Sequence, residues 1–342
     1  MIAMKLDKGD MIGVVSPSTP TTPGDLKLDK GVRFLEDVGF QVIIGKHVFS
    51  RTWGYCASPQ EKAADINNMF ADQSIKAIVC SQGGDTANAC LPYLDWSVIE
   101  ENPKIFLGIS DITVLLNAIH TKTGLVTFHG NDVMWGFGMD PTPYDVQEFV
   151  SRLMKAEIGA VNANGKREAV RGGAAEGRLL GGNLNGLLKL AGTPYFPDCT
   201  ESILFVEGIG LAPEECDYKF HQLKQIGVFD KVQAVIIGYI DGLDNKADEP
   251  LKMQDVLLRV TSECEFPILK VNDFGHNCPN TTLPVGAKVR VEADKQEMAI
   301  LEECVRTIPS PNYENDDRLH VPSVITSYTE AGPRKIELVN KQ

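Results

Sequence analysis

The chain has 342 residues, of which 43% are hydrophobic and 23% charged, and its formal net charge is -13. That length carries two domains with ample cores, and the acidic balance argues against nucleic acid or an anionic membrane surface as partner. No apolar run approaches a bilayer span, Met1 to Asp10 lacks the apolar core and cleavage site of a signal peptide, and the eight cysteines form no C-x-x-C pair. A cytoplasmic protein with reduced thiols, no disulfide framework and no zinc site is therefore expected.

Met11 to Val15 reads as a buried first strand, followed by a Ser/Thr/Pro-rich loop to Asp25. Apolar spacing predicts a helix over Leu26 to Val38, stopped by Gly39, and then a strand over Gln41 to Ile44. Ser58-Pro59-Gln60-Glu61 combines a capping box with proline at the first helical position, so a helix starts there and runs to about Phe70. Ile75 to Cys80 is a third strand, ending in Ser81-Gln82-Gly83-Gly84-Asp85-Thr86, and a short helix follows to Leu91. Lys104 to Asn117 opens as an apolar run and closes as a helix, with Gly108, Ser110 and Asp111 at the corner. Leu125 to Phe128 is a strand ending in His129-Gly130, and Tyr144 to Ala156 is the last helix of this half. Strands alternating with helices at this spacing imply a mostly parallel sheet with helices on both faces. Ligands of such sheets bind at the carboxyl ends of the strands, where Gly83-Gly84, Ser110 and His129 fall.

Residues 157–175 lose periodicity and fill with Gly, Ala, Asn and charge, which reads as an inter-domain linker. The glycine-dense run Gly177 to Leu184 lacks the Gly-Lys-Ser/Thr ending of a phosphate loop, so close backbone packing explains it better. Strands over Ser202 to Val206, Val232 to Tyr239 and Pro267 to Val271, with helices from Pro213 to near Gly227 and Met253 to Thr261, make this half strand-richer, with a mixed or antiparallel sheet. Lys288 to Glu292 and Glu297 to Leu301 read as a hairpin. From Arg306 the chain turns polar and proline-containing, which reads as a flexible segment, with one further strand conceivable at His320 to Thr326.

The Ser110 corner has two readings. One is a plain strand-to-helix turn with Ser110 as cap. The other is a nucleophile held at a sheet edge, with the first free N–H groups of the helix aimed at what it attacks, although the second glycine of the nucleophile-elbow pattern is missing. A nucleophile needs a base. Of the six histidines, His120 lies too far along the same helix, and His221 falls inside another helix. His129 and His276 each follow a strand, and the residue pattern leaves both open. His276 has a companion in Glu207, which also ends a strand beside a glycine and would orient an imidazole.

Gly108-Ile109-Ser110-Asp111, Gly177 to Leu184, Phe205-Val206-Glu207 and Phe274-Gly275-His276, in this order, resemble the serine LD-carboxypeptidase family, which includes murein tetrapeptide carboxypeptidases and microcin C immunity peptidases. The likeness runs from about Lys8 to Leu301. It implies a flavodoxin-like, doubly wound parallel first domain (1–156) and a smaller swivelling β/α domain with a mixed sheet (176–305), leaving 306–342 as an unassigned extension. It also implies a Ser110–Glu207–His276 triad split between the domains, no metal or cofactor, a peptide or peptide-like small-molecule substrate and a homodimer. Family chemistry then makes the backbone N–H groups of Gly84 and Asp111 the oxyanion donors. Gly83, His129 and Trp135 stand as substrate-binding candidates. In His129-Gly130 the family's following proline is replaced by Asn131. A nucleotide- or flavin-binding module has no G-x-G-x-x-G to support it, and a non-catalytic two-lobed binding protein is the remaining alternative.

Overall fold

Helix boundaries follow from local chemistry. In the computed structural model, which describes residues 1–307, the Asp25 carboxylate caps Leu26–Val38 by accepting from the N–H groups of Lys27 and Leu28, and Gly39 ends that helix in the left-handed conformation. Ser58 and Glu61 form the reciprocal capping box of Pro59–Ala71. Each such cap is worth about 1 kcal/mol. Between these helices the strands are short and apolar, as expected for strands covered on both faces.

The first sheet has six strands in the spatial order Leu283–Val285, Thr127–His129, Ile105–Gly108, Ile75–Cys80, Met11–Val15 and Gln41–Ile44. The five contributed by the N-terminal half are parallel and take the flavodoxin-like order 2-1-3-4-5. The sixth, Leu283–Val285, comes from the far end of the chain and pairs antiparallel with Thr127–His129. Pro284 is tolerated there because the strand is an edge.

The second sheet has eight strands: Gly159–Ala160, Glu297–Ile300, Lys288–Glu292, Ala174–Asn183, Ser202–Gly208, Ala234–Ile240, Ile268–Gly275 and Glu168–Arg171. Its four strands from Ala174–Asn183 to Ile268–Gly275 are parallel, and the flanking pairings are antiparallel. The sheet is therefore mixed.

Two local expectations change. Residues 157–175 are not a free connection: they supply the edge strands Gly159–Ala160 and Glu168–Arg171 and the start of Ala174–Asn183. The charge there is used inside. Arg167 is buried, and its Nε donates to Asp273 Oδ2 at 2.7 Å while Asn164 N–H donates to Asp273 Oδ1 at 2.7 Å. The glycine-dense run forms the buried end of the strand Ala174–Asn183. Val305–Arg306 belongs to the described fold, pairing in parallel with Ala3–Met4, so the paired structure reaches past the expected boundary. The flexible tail and the strand at His320 to Thr326 lie outside the described residues. No helix among those described is long and apolar enough to cross a membrane.

Candidate active site

The strand Ile105–Gly108 runs into the helix Thr113–Thr123 through Ile109, in extended conformation, and a turn over Ser110–Ile112. Ser110 sits at φ 66°. For a non-glycine residue this left-handed conformation costs about 1–2 kcal/mol, a strain expected where a side chain is held for function. Ile112 occupies the place of the elbow pattern's second glycine. Gly108 makes the room, since a Cβ there would come within 2.7 Å of Ile112 Cγ2. No side-chain cap bond is found at this turn, so the helix-cap reading of Ser110 fails.

Asp111 is buried and ties the corner to its surroundings. Its Oδ2 accepts from Ser18 Oγ at 2.6 Å and Ala87 N–H at 2.8 Å, and its Oδ1 accepts from Lys189 Nζ at 2.6 Å. The helix that follows is bonded to the second half. Asn117 Nδ2 donates to Gly181 O at 2.8 Å, Gly181 N–H donates back to Asn117 Oδ1 at 3.2 Å, and Asn183 N–H donates to Thr113 Oγ1 at 2.8 Å. Close approach of backbone explains the glycine run, as its composition suggested.

Glu207 lies near the end of Ser202–Gly208, with a fully buried side chain. A carboxylate in that position requires a partner. His276, one residue past the strand Ile268–Gly275, provides it: His276 Nδ1 lies 2.5 Å from Glu207 Oε2. Burial alone would raise the carboxyl pKa, but the imidazole's charge and hydrogen bond overturn this and hold Glu207 below the usual carboxylate range. Burial likewise opposes a charged His276, yet the Glu207 carboxylate outweighs it and lifts the histidine above its ordinary 6.5. With Nδ1 donating to Glu207, Nε2 is the nitrogen left to accept a proton. The turn bearing His276 is fixed in its own right: Gly275 N–H donates to Asn280 Oδ1 at 2.9 Å and Asn280 N–H to Asp145 Oδ1 at 2.7 Å.

Ser110 and His276 line one cavity of about 810 Å³, whose wall includes Gly83, Gly84, Asp132 and Trp135 from the first half and Ile209 and Cys278 from the second. Gly83 packs on the nucleophile candidate, since a Cβ there would lie 2.6 Å from Ser110 Cβ and 2.8 Å from its Oγ. Gly84 has φ 141° and leaves no room for a side chain against Thr19 and Ser18. Trp135 is 57% exposed, with Nε1 donating to Gln82 Oε1 at 3.0 Å and Lys27 Nζ 4.2 Å from the ring centroid.

His129 is placed differently from expectation. Its side chain is fully buried, edge-on to Phe205 and Phe274, and it forms no part of the cavity wall. A residue with no surface on the cavity is not a substrate contact. His129 Nε2 lies 3.9 Å from Glu207 Oε1, too far for a hydrogen bond, so it meets the carboxylate only through electrostatics. Asp132 was not singled out in the sequence. It is buried on the cavity wall, and Oδ1 accepts from the N–H groups of Trp135 at 2.6 Å and Gly136 at 3.1 Å. Burial pushes its pKa up to about 6, with those two N–H bonds limiting the rise. Its position three residues after His129, at the carboxyl edge of a parallel strand, was the available signal.

Comparison with known proteins agrees with this architecture. Residues 12–130 match the model of the LD-carboxypeptidase N-terminal domain and residues 176–291 that of the C-terminal domain. The chain is 33% identical to a probable murein peptide carboxypeptidase of Bacillus subtilis, over 87% of this chain and 93% of that one. It is 32% identical to the microcin C7 self-immunity protein MccF of Escherichia coli, over 90% and 97%. The structure of MccF in complex with glutamyl sulfamoyl guanosine superposes with a TM-score of 0.83 at 31% identity, covering 89% of this chain and 99% of that one. The chain belongs to the LD-carboxypeptidase family, a family of peptidases.

Proposed function

We propose that the protein is a serine peptidase that removes a C-terminal residue, with Ser110 as nucleophile, His276 as general base and Glu207 as the group that orients it. The observation that carries this reading is the Glu207–His276 pair at 2.5 Å opening on the same cavity as the strained Ser110. Ser110 Oγ attacks the scissile carbonyl carbon as its proton passes to His276 Nε2. The oxyanion takes hydrogen bonds from the N–H groups of Gly84 and Asp111. Collapse breaks the C–N bond, and the leaving amine takes the proton from His276. Water then gives a proton to His276, attacks the acyl ester and releases the acid, with the proton returning to Ser110 Oγ. A homodimer is part of the same proposal and is measured by sedimentation.

The favoured substrate is a peptide ending in a D-amino acid. The charged residues on the cavity wall are Asp85, Asp132, Asp140 and Asp145, with His276 and no lysine or arginine among the described residues. A peptide's terminal carboxylate meets that wall as an aspartyl acyl group would, so charge does not separate the two; what favours the peptide is that residues 157–175 hold no aromatic residue on which a base could stack. The second reading is hydrolysis of an aminoacyl nucleotide, favoured by Trp135, whose exposed ring offers a stacking surface worth about 1–3 kcal/mol to a base. A fluorophosphonate probe is expected to label the wild type, and Ser110→Ala to abolish the label. Product analysis with an LD-tetrapeptide is expected to show release of the terminal D-residue. A kcat/KM higher for an aspartyl-adenylate analogue, and reduced by Trp135→Ala, overturns the first reading in favour of the second. A folded protein that neither labels nor hydrolyses either substrate overturns both.

A further inference from the structure

Lys189 caps the carboxyl end of the short helix Leu184–Leu188 in the second half. Its ammonium reaches into the first half and bonds two segments at once. It donates to Asp111 Oδ1 at 2.6 Å and to Asp85 O at 2.9 Å. Asp111 is the residue after the nucleophile candidate, and Asp85 follows Gly84. These are the two segments whose N–H groups serve as oxyanion donors under the proposed function, on which this inference rests.

We infer that Lys189 is a positioning residue that holds both halves of the oxyanion hole and cancels the Asp111 carboxylate beside it. Geometry gives the first part: one cation fixes the spacing between the loop over Gly83 to Asp85 and the turn over Ser110–Ile112. Charge gives the second. The Asp111 side chain is fully buried, and among the described residues its other oxygen accepts from Ser18 Oγ and Ala87 N–H, both neutral. Left uncompensated, that carboxylate would oppose the negative charge that grows on the substrate oxygen next to its own N–H. Low dielectric makes the opposition strong, and donors aimed at developing charge are where catalysis is most sensitive. Lys189 removes the opposition without touching substrate, and it does so from the other half, so docking of the halves and completion of the hole are one event.

The test uses the full chain, an LD-tetrapeptide and a fluorophosphonate probe, whose tetrahedral adduct carries the geometry of the intermediate. Lys189→Met and Lys189→Gln are each expected to lower kcat about 10- to 100-fold with KM within about threefold, and to slow labelling in parallel. Gln keeps a donor and loses the charge, so it reads the electrostatic part even where Met impairs folding. Lys189→Arg retains most of the rate. Combining Asp111→Asn with Lys189→Gln recovers part of the loss, a coupling that a purely structural role does not produce. Wild-type kcat and labelling in a folded Lys189→Gln variant overturn the inference while leaving the hydrolase reading intact. Absence of labelling in the wild type refutes the hydrolase reading itself.

Discussion

Gly83→Ala tests whether Ser110 Oγ is the reacting atom. Gly83 does not need a left-handed backbone, so alanine adds no backbone strain there. The added methyl would stand 2.6 Å from Ser110 Cβ, 2.8 Å from its Oγ and 3.3 Å from Asp111 N. Ordinary contact begins near 3.4 Å, so Ser110 and the loop must separate by 0.8 Å, the difference between 3.4 and 2.6. A misplacement of about 1 Å at a reacting centre costs on the order of 10²-fold in rate. The fold is affected less: the overpacking costs about 1–3 kcal/mol, offset by about 0.4–1 kcal/mol from the stiffer unfolded chain. The expected outcome is a folded protein melting within a few degrees of wild type, with kcat and fluorophosphonate labelling both down about 100-fold. Gly84→Ala is the contrast, because φ 141° and a 2.1 Å approach to Thr19 Oγ1 make it a folding defect first. A Gly83→Ala variant with wild-type kcat would refute the assignment of Ser110.

Three further outcomes follow from the same geometry. His276→Ala should lower kcat by several orders of magnitude, whereas His129→Phe, which keeps the packing against Phe205 and Phe274, should stay within about tenfold of wild type; the reverse order would make His129 the base. Glu207→Gln should cost about 10⁴-fold in kcat and move the acid limb of kcat/KM to lower pH. The base works only when neutral, Glu207 is what raises the His276 pKa, and burial alone depresses it; an unmoved limb would show that His276 does not set it. Asp132→Asn should stabilise the protein at pH 8 and hardly at all near pH 4. The folded pKa of about 6 lies above the ordinary aspartate value of 3.8, so the folded state holds its proton more tightly and loses stability as pH rises through that window, by at most ~3 kcal/mol at 1.36 kcal/mol per pKa unit. Urea denaturation at the two pH values measures it, and equal gains at both would refute the assignment.

Much of the first half was legible because its strands and helices carry their own signals. Met11–Val15 and Leu26–Val38 have the expected bounds, since Asp25 and Gly39 mark the helix ends chemically. The last helix was harder: Pro143–Phe149 passes into a wider turn over Val150–Met154, which apolar spacing does not reveal. Residues 157–175 read as linker because short edge strands have no period to detect, and because their charge gives no sign of burial. Arg167 is buried against a partner, Asp273, more than a hundred residues away, and local sequence does not show such a pairing. Leu283–Val285 was invisible for the same reason, since three residues with a proline declare a strand only when Thr127–His129 is there to pair with them. At the candidate site, Ser110, Glu207 and His276 came from the order of motifs, not from spacing. Trp135 and Gly83 do face the cavity, whereas His129 is recognisable as buried only once Phe205 and Phe274 close around it. Lys189 carries no sequence signal at all.

The separation of the two halves of the site along the chain has a physical consequence. Under the proposed function neither sheet alone provides both the nucleophile and the base, so the chemistry would depend on how the helix Thr113–Thr123 seats against the end of Ala174–Asn183. That seat is built from backbone. A side chain at Gly182 would meet Thr113 Oγ1 at 2.4 Å, and φ 127° there already disfavours any residue with a Cβ. Thr113 is also the acceptor for Asn183 N–H, so the spacing between the halves is set where a hydrogen bond and a missing side chain coincide. Interfaces closed this way have little freedom to slide, because every small displacement breaks a bond or opens a void. Ser110 lies three residues before Thr113, and Glu207 lies in the strand that pairs with Ala174–Asn183. The contact that joins the sheets is therefore also a mechanical link between Ser110 and Glu207. Glycine density at 181–186 follows from that requirement: the closer the backbones approach, the less the distance between the two groups can vary.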